Sequence, residues 1–446
     1  MSKPRIKIMR IFAGKGQMME QLAKFVSEHI GDDTSKLLLA KSKRPDIDME
    51  LAVSCIESRR KLKGKVPEWV DNPYLIFPIR LSAEQCSSSA TAHYKATLAE
   101  SIACQPSSID RIEGHSGKNW RIADLTGGLG VDSWFFSKKA YEVLYNEMQP
   151  ILCEATRHNF RTLGSSNIRT SCKAAGYGAE EASPGEILSG FCPDIVYLDP
   201  ARRGEGGKKV FLIEECTPDI LELQKEIFGL SRHILVKLSP MADITMACSR
   251  LGRTCREVHI VASGGECKEL LIWMDREWDD EYSIHAAELP NDYPESSPAI
   301  FSFRPSEEKS ASHYGITAKV SVERYLFEPG KAMMKSGAFN LISERKGISK
   351  IGKSTHYYAF SDIDKAENLK SFGKVYEILR CDPLDKRSLK AAGKAFPKAE
   401  ATARNIPMDT VALRKKLGIT SGDDAHIFGI KSDSEGNILL CTKRVL

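Results

Sequence analysis

The segment ADLTGGLGVDS, residues 123 to 133, gathers an acid, a hydroxyl, three glycines and a second acid where an apolar strand gives way to a helix pattern. Glycines at such a turn let the backbone approach a ligand closely and leave the amides of the helix start available to it. The binding candidates are Asp124, Thr126, Gly127, Gly128, Gly130 and Asp132. The dinucleotide fingerprint G-x-G-x-x-G does not fit, because from Gly128 and Gly130 its third glycine falls on Ser133. An acid followed by small residues at alternate positions does fit, through Asp124, Thr126, Gly128 and Gly130. The next strand runs into Glu147, seventeen residues after Gly130, with Met148 beside it. A doubly wound nucleotide fold places a carboxylate there to accept bonds from both ribose hydroxyls. A tight connection explains glycines by themselves, and a strand-end acid is an ordinary cap, but the pair together points to a nucleotide.

A third group lies in DIVYLDPARR, where β-forming residues run into Asp199, Pro200, Ala201, Arg202 and Arg203. Ligands of open α/β sheets lie beyond the carboxyl ends of the strands, so substrate should meet cofactor at this turn. Arg202 and Arg203 suit phosphate better than proton transfer, since a guanidinium does not deprotonate in proteins.

Residues placed in this way need a parallel sheet beneath them. From about residue 120, WRIAD, EVLYNE, NIRTS, DIVYLD and HILVKL alternate with helix patterns from Val131, from Pro150, through Ile213 to Phe228 and from Met241. Such alternation predicts a parallel sheet with helices on both faces. REVHIVAS, the Gly264-Gly265 turn and CKELLIWM then read as an antiparallel hairpin closing the sheet. Residues 1–110 read as helical, with Pro67, Pro73 and Pro78 punctuating an extended stretch before EQCSSSATAHYKATLAESIA resumes a helix. Residues 275 to 312 turn acidic and rich in proline and serine, which marks a boundary. The strand and helix patterns after it form a small α+β domain. The expected organisation is a helical region at 1–110, a nucleotide-binding domain at 111–278, a connector or small α+β subdomain at 279–324 and an α+β domain at 325–446.

The chain has 446 residues, 42% of them hydrophobic and 28% charged, enough for two or three compact domains and unlike a disordered chain. Its longest apolar runs, such as IVYL at 195 to 198, are strand-sized, so a membrane protein is not expected. The opening MSKPRIKIMRIFAGKG is interrupted by charge and has no signal-peptide core, which predicts a cytoplasmic protein. Twelve cysteines without a C-x-x-C pair argue against a zinc ribbon, an iron–sulfur cluster or a disulfide framework, so no structural metal is expected. The net charge of +5 hides a basic start (+5 over 1–120), an acidic middle (−7 over 121–340) and a basic end (+7 over 341–446). Clusters at Lys41, Lys43 and Arg44, at Arg59, Arg60, Lys61, Lys63 and Lys65, at Arg345 and Lys346, and at Arg414, Lys415 and Lys416 form the footprint of a polyanion binder. Any one of them taken alone is more often a solvated helix face.

Together with LSAEQCSSSATAHYKA at 81 to 96, LYNEMQPILCEATRHNF, KLSPMADI, SGGECKELLIW and YLFEPGKAMMKSGAFNLI at 325 to 342, these motifs give the chain a specific resemblance. It resembles class I S-adenosylmethionine (SAM)-dependent methyltransferases with a C-terminal THUMP-like domain, most closely the bacterial candidate RNA methyltransferases of that group. The resemblance covers most of the chain. It implies an α/β fold: a doubly wound, Rossmann-like class I sheet with a terminal antiparallel hairpin, after a helical N-terminal region and before a small α+β THUMP-like domain. It also implies SAM at the glycine turn, with Glu147 on the ribose and Met148 nearby. Gln85, Tyr94 and Lys95 precede the sheet and either close over the SAM carboxylate or belong to an ordinary helix packed on the sheet. Asp199 and the Pro200 carbonyl would orient an acceptor amine, while Arg202, Arg203, Arg414, Lys415 and Lys416 would hold RNA phosphates.

The chain departs from the family pattern at three points. Thr126 stands where many members have glycine, Cys172 and Lys173 stand where an acid often holds adenine, and DPAR replaces D/N-P-P-Y/F. A cysteine nucleophile, as in carbon-5 pyrimidine methylation, is disfavoured because Cys192 and Cys267 fall at strand starts. The expected function is methylation of a base in structured rRNA or tRNA. The alternatives are a methyltransferase of a protein or small molecule, or a catalytically silent RNA-binding protein.

Overall fold

The computed structural model describes residues 17–105, 119–202, 213–311 and 319–445. Six helices precede the first strand among them: α1 Gln17–Glu28, α2 Thr34–Leu39, α3 Met49–Leu62, α4 Pro67–Val70, α5 Arg80–Gln85 and α6 Ser89–Ala103. Three of these helices start with side-chain caps. Asp33, Asp48 and Ser88 accept the backbone N–H of Ser35, Leu51 and Thr91, satisfying amides that a helix start leaves without partners.

The alternating region forms β1 Arg121–Asp124, α7 Val131–Ser137, β2 Glu142–Asn146, α8 Pro150–Thr162, β3 Ile168–Ser171, α9 Pro184–Ile187 and β4 Ile195–Leu198. After it come β5 Ala201–Arg202, β6 Cys216–Thr217, α10 Ile220–Leu230, β7 His233–Leu238, α11 Ile244–Leu251, β8 Cys255–Ser263 and β9 Glu266–Asp275. The sheet also takes in β10 Ser283–Leu289 and β11 Ala299–Phe303, in the order β11-β10-β8-β9-β7-β4-β1-β2-β3. Strands β3, β2, β1, β4 and β7 are mutually parallel, and β9 runs antiparallel to β7. All four residues of β4 are buried, the continuous apolar run of a strand covered on both faces. The order reverses between β1 and β4, so the carboxyl ends of β1, β2, β4 and β7 open onto one crevice.

Two sequence expectations change here. Residues 213 to 228 are not one helix: a 3₁₀ turn at Ile213–Glu215 and β6 come before α10. Pro218 is the cause, since it has no N–H to donate and disfavours a helical conformation at Thr217. The Gly264-Gly265 turn is present, with φ of +61° and +77°, the positive pair that a two-residue hairpin requires. The sheet nevertheless continues past this hairpin, because β10 pairs parallel with β8 and β11 pairs antiparallel with β10. The stretch read from its acidic, proline-rich composition as a boundary contains the change of compact unit after Asp280 and also holds two strands, whose apolar residues SIHAAEL and AIFSF are outnumbered by the loops around them.

The chain divides into two compact units, residues 1–256 with 270–280, and residues 257–269 with 281–446. The second contains α12 Pro305–Ser310, β12 Tyr325–Pro329, α13 Lys331–Ser336, α14 Phe339–Lys346, β13 Ser349–Lys350, β14 Tyr358–Phe360 and α15 Ile363–Leu369. It ends with β15 Gly373–Pro383, α16 Lys386–Ala395, β16 Lys398–Arg404, α17 Thr410–Leu417, β17 Thr420–Ser432 and β18 Gly436–Arg444. Its seven strands run β13-β14-β12-β15-β18-β17-β16, and only β16 and β17, joined through α17, are parallel. Leu389 of α16 and Leu413 and Leu417 of α17 pack on Ala399, Ile427 and Leu439 in one core cluster, and Leu326, Tyr357, Tyr376, Phe428 and Leu440 form another.

Candidate active site

A cavity of about 430 Å³ opens at the carboxyl ends of β1, β2, β4 and β7, within the first unit. The β1–α7 turn forms its floor, and each glycine there has a separate physical reason. A Cβ on Gly127 would lie 2.1 Å from the Tyr145 ring. One on Gly130, at φ +87°, would lie 2.6 Å from Thr156 and 2.7 Å from Phe160. Gly128, at φ +53°, would meet only Thr126 O at 3.8 Å, so its left-handed backbone faces open space.

Glu147, just beyond β2, binds this turn from the side. Its Oε2 accepts the Gly128 N–H at 3.0 Å and its Oε1 accepts the Gln149 N–H at 2.7 Å. Each oxygen keeps a further lone pair for a ligand. Burial pushes the Glu147 carboxyl above its ordinary range, against the pull of those two amides. Asp124 lies deeper, with Oδ1 accepting the Thr126 N–H at 3.0 Å and Oδ2 accepting the Ser133 hydroxyl at 2.7 Å. Its burial pushes the carboxyl up to about 7.

Thr126, the departure from glycine, has a definite task. Its Oγ1 accepts the Asp199 N–H at 2.6 Å, which ties the glycine turn to the end of β4. Asp199 lines the cavity, and its Oδ2 accepts a hydrogen bond from Lys237 Nζ at 2.6 Å. Lys237 comes from β7 and also lines the cavity. No site expectation included it, although KLSP carries it, because a lysine inside an apolar strand shows its direction only once the strand is paired. Pro200 is buried and lies outside the cavity lining.

Behind the turn, Asp132 Oδ2 accepts hydrogen bonds from Ser87 Oγ at 3.0 Å and the Tyr197 hydroxyl at 2.9 Å. Its Oδ1 lies 3.3 Å from Lys95 Nζ. Burial opposes the charge of Asp132, but the Lys95 and Lys237 cations prevail and hold its carboxyl below the usual range. Lys95 is fully buried against Asp132 and Ser87 and does not line the cavity, so its expected place over the ligand carboxylate is replaced by a place beneath the turn. Tyr94 is buried and likewise outside the lining. Gln85 and Met148 do line the cavity, Met148 with 58% of its surface exposed. Beyond β3, Lys173 and Ala174 contribute to the wall and Cys172 does not. Cys86 is the lining thiol among the described residues, and burial pushes it up to about 11, away from a nucleophilic thiolate.

The basic clusters fare differently from one another. Arg59 is buried and donates to the carbonyls of Val70, Asn72 and Leu75, while Arg60 donates to those of Ile30 and Asp32. Lys65 bonds the carbonyls of Glu84 and Cys86, so most of this cluster holds loops in place. Arg414 pairs with Glu400 at 2.5 Å, leaving Lys415 and Lys416 as the exposed members of their cluster. Arg203 lies outside the described residues. Arg202 is placed in β5 by its backbone alone.

Comparison with known proteins fits this architecture. A ferredoxin-like domain model matches residues 325–366, and a THUMP domain-like model matches residues 373–444. No curated protein matches the chain. The crystal structure of a methyltransferase candidate from Porphyromonas gingivalis W83 is similar over 96% of this chain and 99% of that one, at 26% identity and a TM-score of 0.77. An rRNA methylase from Streptococcus thermophilus and the human methyltransferase 10 domain containing protein also align, over 42% and 51% of this chain and 94% and 96% of theirs, at 9% and 12% identity. Their TM-scores of 0.28 and 0.31 carry no argument. With its sheet order, its full-length structural counterpart and its matched C-terminal domain, the chain has the class I methyltransferase fold with a C-terminal THUMP-like domain.

Proposed function

We propose that the protein is a SAM-dependent methyltransferase acting on a base in structured RNA. One observation carries the reading: the left-handed glycine turn, the Glu147 carboxylate and the Asp199–Lys237 pair converge on one cavity at the switch point of the sheet. The donor set fits SAM. Gly127, Gly128 and Gly130 provide a floor without side chains, Glu147 has lone pairs for two ribose hydroxyls, and Gln85 and Met148 stand on the wall. When bound there, SAM supplies an electrophilic methyl group on sulfur.

The residues of the chain then have to orient the acceptor and exclude water, since in-line transfer to an electron-rich nitrogen draws most of its acceleration from positioning. Lys237 and the Thr126 hydroxyl hold Asp199 by its side chain and its backbone, and the carboxylate keeps acceptor capacity for an N–H of the substrate. RNA as substrate is supported by the THUMP-like match and by the +7 charge of residues 341–446. Mass spectrometry of nucleosides from total rRNA and tRNA, with and without the gene, tests the reading. Loss of one methylated nucleoside, restored by the wild-type gene and not by Asp199→Ala, is the expected result, and an unchanged nucleoside profile would overturn it.

A further inference from the structure

In the second unit, four side chains converge across three neighbouring strands. His259 on β8 is the register partner of His285 on β10, and His285 is the register partner of Ser302 on β11. Glu257 stands two residues before His259 and therefore on the same face of β8. The two imidazoles stack with centroids 4.6 Å apart and planes 17° apart. Glu257 Oε2 lies 3.0 Å from His259 Nε2 and 3.6 Å from His285 Nε2, and the three ligand atoms all fall within 4.8 Å of one another. On its other side, His285 Nδ1 lies 2.8 Å from Ser302 Oγ. If Nδ1 carries the proton and donates it to Ser302, Nε2 presents its lone pair to the cluster. That Nε2 is buried and makes no hydrogen bond, which leaves its desolvation uncompensated.

We propose that Glu257, His259 and His285 bind a divalent first-row transition-metal ion, with Zn²⁺ as the ion best matched to the donors and Ser302 as the residue that orients His285. Two imidazoles and a carboxylate are a known zinc set that keeps a fourth position for water. A hydrogen-bond acceptor on the distal nitrogen fixes the tautomer and ring plane of a ligating histidine, and the Ser302 hydroxyl can serve as that acceptor. Metal bonds of about 2.0 to 2.2 Å would hold neighbouring ligand atoms about 3.3 Å apart, a contraction that side-chain rotation can supply. Glu257 and His285 keep 24% and 20% of their side chains exposed, which gives the ion and its water a way in. The sequence expectation of no structural metal rested on cysteine spacing, and this set contains no cysteine. Nothing in the proposal depends on methyl transfer.

The test uses the full chain, stripped with a chelator and titrated with Zn²⁺ alone, with metal content and thermal midpoint as readouts. The twelve cysteines can take up zinc adventitiously, so Co²⁺ replaces Zn²⁺ in a parallel sample to report the donor type. The expected results are one equivalent bound, a midpoint raised by Zn²⁺, and a Co²⁺ spectrum without sulfur charge-transfer bands. His285→Gln and Glu257→Gln should abolish all three. If His285→Gln fails to fold, the nearly isosteric Glu257→Gln decides the matter. Substoichiometric uptake by the wild type, thiolate bands in its Co²⁺ spectrum, or undiminished uptake by Glu257→Gln would overturn the proposal.

Discussion

At the scale of single residues, the proposed function would divide the work of the cavity between Glu147, for binding, and Asp199, for transfer. Removing the Glu147 carboxylate leaves the Gly128 and Gln149 amides without their acceptor and deprives a ribose of its partner. Glu147→Ala should weaken SAM binding by about 1 to 3 kcal/mol, and wild-type affinity by calorimetry would exclude the assignment. Asp199→Ala should instead slow single-turnover transfer by about 10²- to 10⁴-fold while filter binding of RNA stays within a few-fold. Equal losses in rate and affinity would make Asp199 a structural residue. Asp124 adds a pH signature. Burial raises its folded pKa to about 7 from an ordinary 3.8, so the folded state holds the proton more tightly across that window. The stability this group contributes is present below the lower value and is lost as pH rises through the upper one. Asp124→Asn removes the titration, so the stability of the variant relative to wild type should rise between about pH 4.5 and about pH 7.5. Urea titrations giving the same difference at both pH values would show that Asp124 does not titrate there.

Elements explain which of these roles the sequence could reveal. The glycine turn, Glu147 and Asp199 were legible because each sits at a strand end, a position that hydrophobic alternation fixes to within a residue or two. Lys237 and the Lys95–Asp132 pair were not, because strand pairing and helix docking decide which side of β7 or α6 meets the cavity. The hidden strands β10 and β11 show the same limit, since composition averaged over 275 to 312 is dominated by loops. In the C-terminal part, the helix patterns of α16 and α17 were visible, but their crossing was not. Gly393 marks it, because a Cβ there would lie 1.8 Å from Leu417 O, a backbone atom that cannot rotate away. Gly393→Ala should therefore cost about 1 to 3 kcal/mol or more by forcing the two helices apart, despite alanine's higher helix propensity. An unchanged urea midpoint for the second unit would mean that the helices separate freely.

Over the whole chain, charge was legible as a sum and misleading as a set of clusters. The +7 of residues 341–446 survives in the folded molecule, but Arg414 is bound to Glu400 and Arg345 to Glu307 and the Ser302 carbonyl. The cluster from Arg59 to Lys65, a natural second candidate for RNA grip, spends three of its five cations on backbone carbonyls. Lys415 and Lys416 stand exposed in the last turn of α17, open to a phosphate. Each phosphate contact made by a lysine releases condensed counterions, so its loss flattens the dependence of log affinity on log salt by somewhat under one unit. The double variant Lys415→Ala/Lys416→Ala should weaken RNA binding and lower that slope by about 1.5 units, with Arg414 left in place to preserve its pair with Glu400. SAM affinity should not change, because the cavity lies in the first unit and α17 in the second. Filter binding across a salt series decides the matter: an unaltered slope would make the two lysines a solvated helix end, and the RNA grip would have to come from other cations of the chain.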